Sequence, residues 1–262
     1  MPKIINPNAI LNGYIIEFPT VGFINKYYKV DITPTDQSKL AHPQPQFLPK
    51  PKAGTIYNNI PDLLGFDVPV LIKTDKAFKG TIAILGQDAL RDPNDPLLKG
   101  FNTKDDIVVG LPYAIAFDRS YKQVSVYHLL IKDILDAGYD VYLTDIWKSW
   151  DDNHVSRMGR WSNINPHKQC LEDEFKNLNI NYVVLMGGVA QKKFKTIPNP
   201  SNVVDISVPH LSPAANGTWK DFLKDKPVDE VNKIEFVKDE MREKGVKLKK
   251  YRRINYDMDN ER

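Results

Sequence analysis

From Gly80 onward, short apolar runs alternate with segments of helical period, and few folds satisfy that alternation. Thr81-Ile82-Ala83-Ile84-Leu85 is continuously apolar and ends at Gly86, as a strand buried on both faces reads. Val124, Tyr127, Ile131, Ile134 and Leu135 then recur at helical spacing, and Gly138 follows as a C-cap. Val141 to Thr144, Tyr182 to Met186 and Val203 to Ser207 read as further strands. Helices are expected from about Pro166 to Leu178 and from about Val228 to Lys244. Strands alternating with helices imply right-handed crossovers and a parallel sheet. The expected fold is a three-layer α/β domain around a central four-stranded, mostly parallel sheet.

The first 75 residues read differently, being rich in Pro and aromatic residues. Pro43, Pro45, Pro49 and Pro51 predict that His42 to Lys52 is a surface loop or wrapping arm, since Pro removes a donor and restricts its predecessor. The expected organisation is an irregular N-terminal extension over 1–75, the α/β domain over 76–245, and a basic tail over 246–262.

The chain has 262 residues, 42% hydrophobic and 26% charged, within the range of soluble globular proteins. Its one cysteine, Cys170, excludes an intramolecular disulfide and a multi-thiolate metal site. No apolar run approaches the roughly 20 residues of a membrane span, and the opening residues lack the form of a signal peptide. An intracellular, cytoplasmic monomer with no membrane, metal or cofactor is therefore expected. Asp151, Asp152 and His154 are either metal ligands or a solvated polar loop. The net charge of +3 is too small to argue for nucleic acid, so that case rests on local patches.

In open parallel sheets, ligands bind beyond the carboxyl ends of the strands. Here those ends carry Gly86-Gln87-Asp88, Asp145, Gly187-Gly188 and Pro209-His210-Leu211-Ser212-Pro213, all expected on one rim. Asp88 either acts as a base, water-orienting group or stabiliser of positive charge, or caps the next element. His210 lies on a loop stiffened by Pro209 and Pro213 and is either catalytic or structural. A carboxylate and an imidazole on one rim form a common catalytic set.

These residues carry a resemblance. Gly86-Gln87-Asp88 resembles the start of the water-activating G-Q-D-P-Y-H motif of uracil-DNA glycosylases, and His210-Leu211-Ser212-Pro213 resembles their H-P-S-P loop. Ala116-Phe117-Asp118 is similar to the A-F-S segment whose Phe stacks on the flipped base. Thr144-Asp145-Ile146-Trp147-Lys148 resembles T-N-x-x-K, and Ala190-Gln191-Lys192-Lys193 an A-Q-K-K run after the third strand. The likeness spans about Thr81 to Leu223. It implies a DNA glycosylase of base-excision repair that flips a nucleotide out of the helix and hydrolyses its N-glycosidic bond without a metal. Asp88 would serve the water and the oxocarbenium, and His210 the departing base. Phe117 would stack on the base, or is otherwise a core aromatic. Gln87 would lend pocket contacts and Ser212 a phosphate contact.

The departures have chemical consequences. Ala89-Leu90-Arg91 stand where the family has P-Y-H. That Tyr guards against a 5-methyl group, so Leu90 bears on the exclusion of thymine. Arg91 either holds a phosphate or pairs with a nearby carboxylate such as Asp92. Asp145 replaces the family's Asn, and an ionised carboxylate only accepts hydrogen bonds. Either Asp145 is protonated in a dry pocket, or the base presents two donors as guanine does, or the activity has been lost or exchanged. Ala214 stands where the family inserts a Leu into the duplex, and Trp219 is expected as a substitute stacking surface. Arg157, Arg160, Lys192, Lys193 and Lys220 would line a path for single- or double-stranded DNA. The run from Lys247 to Arg253 either adds to that path or is a solvated surface. The alternative function is a protein of the same fold that binds a nucleobase or nucleic acid without cleaving it.

Overall fold

The computed structural model describes residues 11, 14–28, 46–49, 63–88, 105–112, 125–151, 166–198 and 203–249. At its centre lies β5 (Thr81–Asp88), whose Ile82, Ala83, Ile84 and Leu85 are wholly buried. It pairs in parallel with β7 (Asp140–Trp147) on one side and β9 (Tyr182–Met186) on the other. Beyond β9, β10 (Val204–Val208) adds a fourth parallel strand. These are the four strands expected from the apolar runs. Successive residues point to opposite faces of a strand. Thus Ile82 and Ile84 enter one core cluster, and Ala83 and Leu85 enter the other.

Helices cover both faces. α2 (Ser125–Asp136) and α6 (Glu230–Glu243) pack on the first face, with Leu130, Ile134, Val237 and Met241 buried against β-strand residues Val141, Val184 and Ile206. On the other face lie α3 (Pro166–Asn177) and the short α4 (Gly188–Phe194), through Leu171, Phe175, Ala190 and Phe194. α5 (Asn216–Leu223) joins the loop after β10 to α6. At the start of the last segment, Val246 and Leu248 are buried in the core.

The sheet is larger than the expected four strands, and the described part of the extension holds regular elements. β4 (Val70–Lys73) pairs antiparallel with β7, and β1 (Ile15–Glu17) pairs antiparallel with β4. The result is a six-stranded, mostly parallel sheet in the order β1-β4-β7-β5-β9-β10. α1 (Val21–Tyr28) packs beside α3. A second sheet has the order β2-β6-β3-β8, from β2 (Gln46–Pro49), β6 (Asp106–Gly110), β3 (Leu63–Asp67) and β8 (Ser149–Asp151). The 42–52 segment therefore contains a strand. β2 is an edge strand closed by Pro49, a position where a missing ladder donor is tolerated. Gly65 is required in β3, because a Cβ there would lie 2.3 Å from the Val108 carbonyl oxygen.

Among the described residues no helix is long and apolar enough to cross a membrane, and no group of three or more His, Cys, Asp or Glu side chains could hold a metal ion.

Candidate functional site

At the carboxyl rim, β5 and β7 run further than their apolar cores. Gly86 pairs with Asp145 and Asp88 with Trp147, so Gly86, Gln87, Asp88 and Asp145 are strand residues and not loop residues. The Asp88 backbone therefore closes β5, while its side chain lies outside the described structure, as do Leu90, Arg91 and Phe117 entirely. Asp152, His154, Arg157 and Arg160 also lie outside it.

An open cleft of about 650 Å³ faces this rim between β5, β9 and the loop after β10. Of the site residues expected from sequence, Gln87, His210, Ser212, Ala214, Lys192 and Lys193 line it. Asp145 stands apart, only 4% exposed, on a strand beside Gly86. Its backbone oxygen accepts from Lys148 Nζ at 2.6 Å.

His210 is held from several sides. Trp219 Nε1 donates to the His210 carbonyl at 2.9 Å, and the Trp219 side chain is wholly buried. Trp219 is therefore an anchor for the loop and not the expected stacking surface, because the indole has an internal partner and an aromatic cluster with Phe222 and Phe236. From α6, the buried Lys233 donates to Leu211 O at 3.3 Å and Asn216 Oδ1 at 2.6 Å. Burial holds the Lys233 ammonium below its ordinary range.

The imidazole itself has a defined polarity. The Ser212 backbone N–H donates to His210 Nδ1 at 3.2 Å, and Ser212 Oγ lies 2.9 Å from the same nitrogen. A backbone N–H can only donate, so Nδ1 carries no proton and the neutral ring carries its hydrogen on Nε2. That leaves the histidine able to donate from Nε2 to an acceptor with developing negative charge.

The opposite wall of the cleft begins at Gly187, which has φ +89° and ψ 161° and lies with its would-be Cβ 3.4 Å from His210 Cβ. Its N–H donates to Val208 O at 2.8 Å. Gln191 Nε2 donates to the same carbonyl at 3.0 Å, tying α4 to the end of β10. The A-Q-K-K run thus divides by role: Ala190 is buried, Gln191 is a brace, and Lys192 and Lys193 face the cleft. Lys220 is exposed on α5.

Beneath the rim, Thr144, Lys148 and Glu174 form a wholly buried cluster. Lys148 Nζ lies 3.1 Å from Glu174 Oε2 and donates to Thr144 Oγ1 at 2.7 Å, while Thr144 Oγ1 donates to Glu174 at 2.9 Å. Burial raises the Glu174 carboxyl, against the pull of the Lys148 ammonium. The same lysine reaches the Asp145 carbonyl, so this pair fixes the backbone of the base-edge candidate.

Two site residues went unread in the sequence. Glu174 sits in the run Glu172-Asp173-Glu174, within the helix expected from about Pro166 to Leu178. Tyr127 belongs to the apolar stripe of α2, yet its hydroxyl lies 3.2 Å from His210 Nδ1 and 3.3 Å from Nε2. Its one available signal is that a buried tyrosine hydroxyl needs a polar partner.

No protein-family model matches the chain, and no curated protein matches it in sequence.

Proposed function

We propose that this cleft is the active site of an N-glycosyl hydrolase of the uracil-DNA glycosylase kind, which removes a modified or misplaced base from DNA. The observation that carries the reading is the meeting of Gln87, His210, Ser212, Lys192 and Lys193 around one cleft, with the His210 hydrogen on Nε2. A mostly parallel α/β sheet whose carboxyl rim opens on the cleft supports the reading.

In this reading a flipped nucleotide enters the cleft and Asp88 orients a water toward C1′. The C1′–N bond breaks, its electron pair leaves with the base, and the water oxygen bonds to C1′. Asp88 stabilises the positive sugar and accepts the water's proton, while His210 Nε2–H supports the negative charge on the base. Gln87 contacts the base edge, Phe117 stacks on it, and Ser212, Lys192 and Lys193 hold phosphates. The second reading is a non-cleaving binder of the same fold; exposed Ala214, too short for a wedge, favours it.

The test is a strand-cleavage assay on oligonucleotides, single- and double-stranded, carrying uracil, mismatched thymine, hypoxanthine, xanthine and modified pyrimidines. Alkali-labile sites that vanish in both Asp88→Asn and His210→Ala are expected. Salt-sensitive binding without cleavage of any substrate would transfer the assignment to the binder.

A further inference from the structure

We propose that Lys233 is a positioning residue of the cleft: its ammonium clamps both ends of the segment 212–215 and so fixes the edge on which a substrate would rest. The clamp needs no assumption about chemistry, and only its effect on turnover rests on the glycosylase reading. Ser212, Ala214 and Ala215 line the cleft, whereas Lys233 stands behind it. From near the start of α6, its Nζ donates to Leu211 O, just before that segment, and to Asn216 Oδ1, just after it. Trp219 Nε1 holds the carbonyl of His210, so two successive peptide oxygens are tied to helices behind the cleft. A small cavity of about 170 Å³, lined by Leu211, Pro213, Asn216 and Lys233 among others, leaves the segment room to shift once the clamp is gone. The choice of a lysine is itself informative. Lys233 is only 4% exposed, and both of its hydrogen-bond partners are neutral. Burying a cation in this way costs free energy that an apolar side chain of the same length would not cost. What the amine adds is several donors on one atom, able to meet acceptors from two different segments at once. Lys233 therefore contributes order at the cleft edge in place of stability for the whole fold.

The experiment is amide hydrogen exchange read by mass spectrometry, with calorimetry on the same samples, using the full-length chain free of DNA. Lys233→Met keeps the length and packing of the side chain and removes its donors. Asn216→Asp keeps the acceptor at the far end of the clamp. In Lys233→Met the amides of Ser212, Ala214 and Ala215 should exchange roughly tenfold faster, the worth of one hydrogen bond. Strands β5 and β9 should keep their wild-type protection, and the melting temperature should fall by no more than a few degrees. Asn216→Asp should exchange as wild type does. Unchanged exchange over 212–215 in Lys233→Met overturns the proposal. So does protection lost evenly across the sheet together with a large fall in melting temperature, the mark of a lysine that only stabilises the fold. Where an excised base is found, Lys233→Met should also lower kcat by roughly tenfold. An unchanged kcat would refute the positioning role while leaving the glycosylase reading intact. Faster exchange confined to 212–215, in a chain that excises no base, would uphold the clamp and remove the glycosylase reading alone.

Discussion

Gly187 is where backbone conformation and the site meet in one residue. Its φ of +89° with ψ of 161° falls in a region that only glycine occupies readily, and a side chain there strains the backbone by about 1–3 kcal/mol. The same side chain would press on His210 Cβ at 3.4 Å, a distance of ordinary contact, so the cost is mainly conformational. Gly187→Ala should therefore lower the melting temperature by several degrees and weaken the Gly187-to-Val208 hydrogen bond that sets the cleft wall. Base release should fall further than the loss of folded protein explains, because Gly187 adjoins His210 in the cleft wall. Calorimetry on the same samples used for cleavage separates the two, and an unaltered melting temperature would show that the backbone relaxes at no cost.

At the scale of elements, β7 and α3 are joined by a charge pair placed where water does not reach. Removing one member of such a pair leaves the other charge buried and costs about 3–5 kcal/mol. In Lys148→Met, Glu174 loses the cation that opposes its burial, so its folded value rises further above that of the unfolded chain. A carboxyl raised by folding contributes stability below its unfolded value and loses that contribution as pH climbs through the folded one. Urea denaturation should accordingly find Lys148→Met weaker at pH 8 than at pH 5, with a steeper fall than wild type. A deficit independent of pH would exclude Glu174 as its source. This cluster also marks the limit of what sequence periodicity reveals. Three of the four parallel strands were legible because burial on both faces leaves an apolar run, whereas β10 alternates, with Ile206 and Val208 buried and Val204, Asp205 and Ser207 exposed. Gly65, Asp67 and Pro69 interrupt β3 and β4, so no such run forms although Val68, Val70 and Ile72 are wholly buried. Gln87, His210 and Ser212 were legible because strand order sends strand ends to one rim, and Lys192 and Lys193 because they belong to the A-Q-K-K run of the resemblance. Glu174 and Tyr127 were not, since their partners lie 26 and 83 residues away and periodicity carries no information about such pairs.

Across the whole molecule, the two sheets share continuous chain. The run 63–73 lies antiparallel to 140–151, pairing in one sheet as β3 with β8 and in the other as β4 with β7. Asp67 N–H donates to Lys148 O at 2.8 Å where both runs pass from one sheet to the other. The second sheet thus extends past the carboxyl end of β7, and the cleft opens on the opposite side of β5, toward β9 and β10. A net charge of +3 spread over 262 residues provides little general attraction for a polyanion. Any affinity for DNA must then come from local cations, and Lys192 and Lys193 are the cleft's own. Each phosphate neutralised contributes about 0.9 to the slope of log affinity against log salt on duplex, and about 0.7 on single strands. The double substitution Lys192→Ala with Lys193→Ala should reduce that slope by about 1.8 on duplex or about 1.4 on single strands. Fluorescence anisotropy over a salt series on each form of DNA measures the two slopes. If the slope does not change while affinity does, these lysines contact something other than phosphate, and the backbone passes elsewhere on the rim.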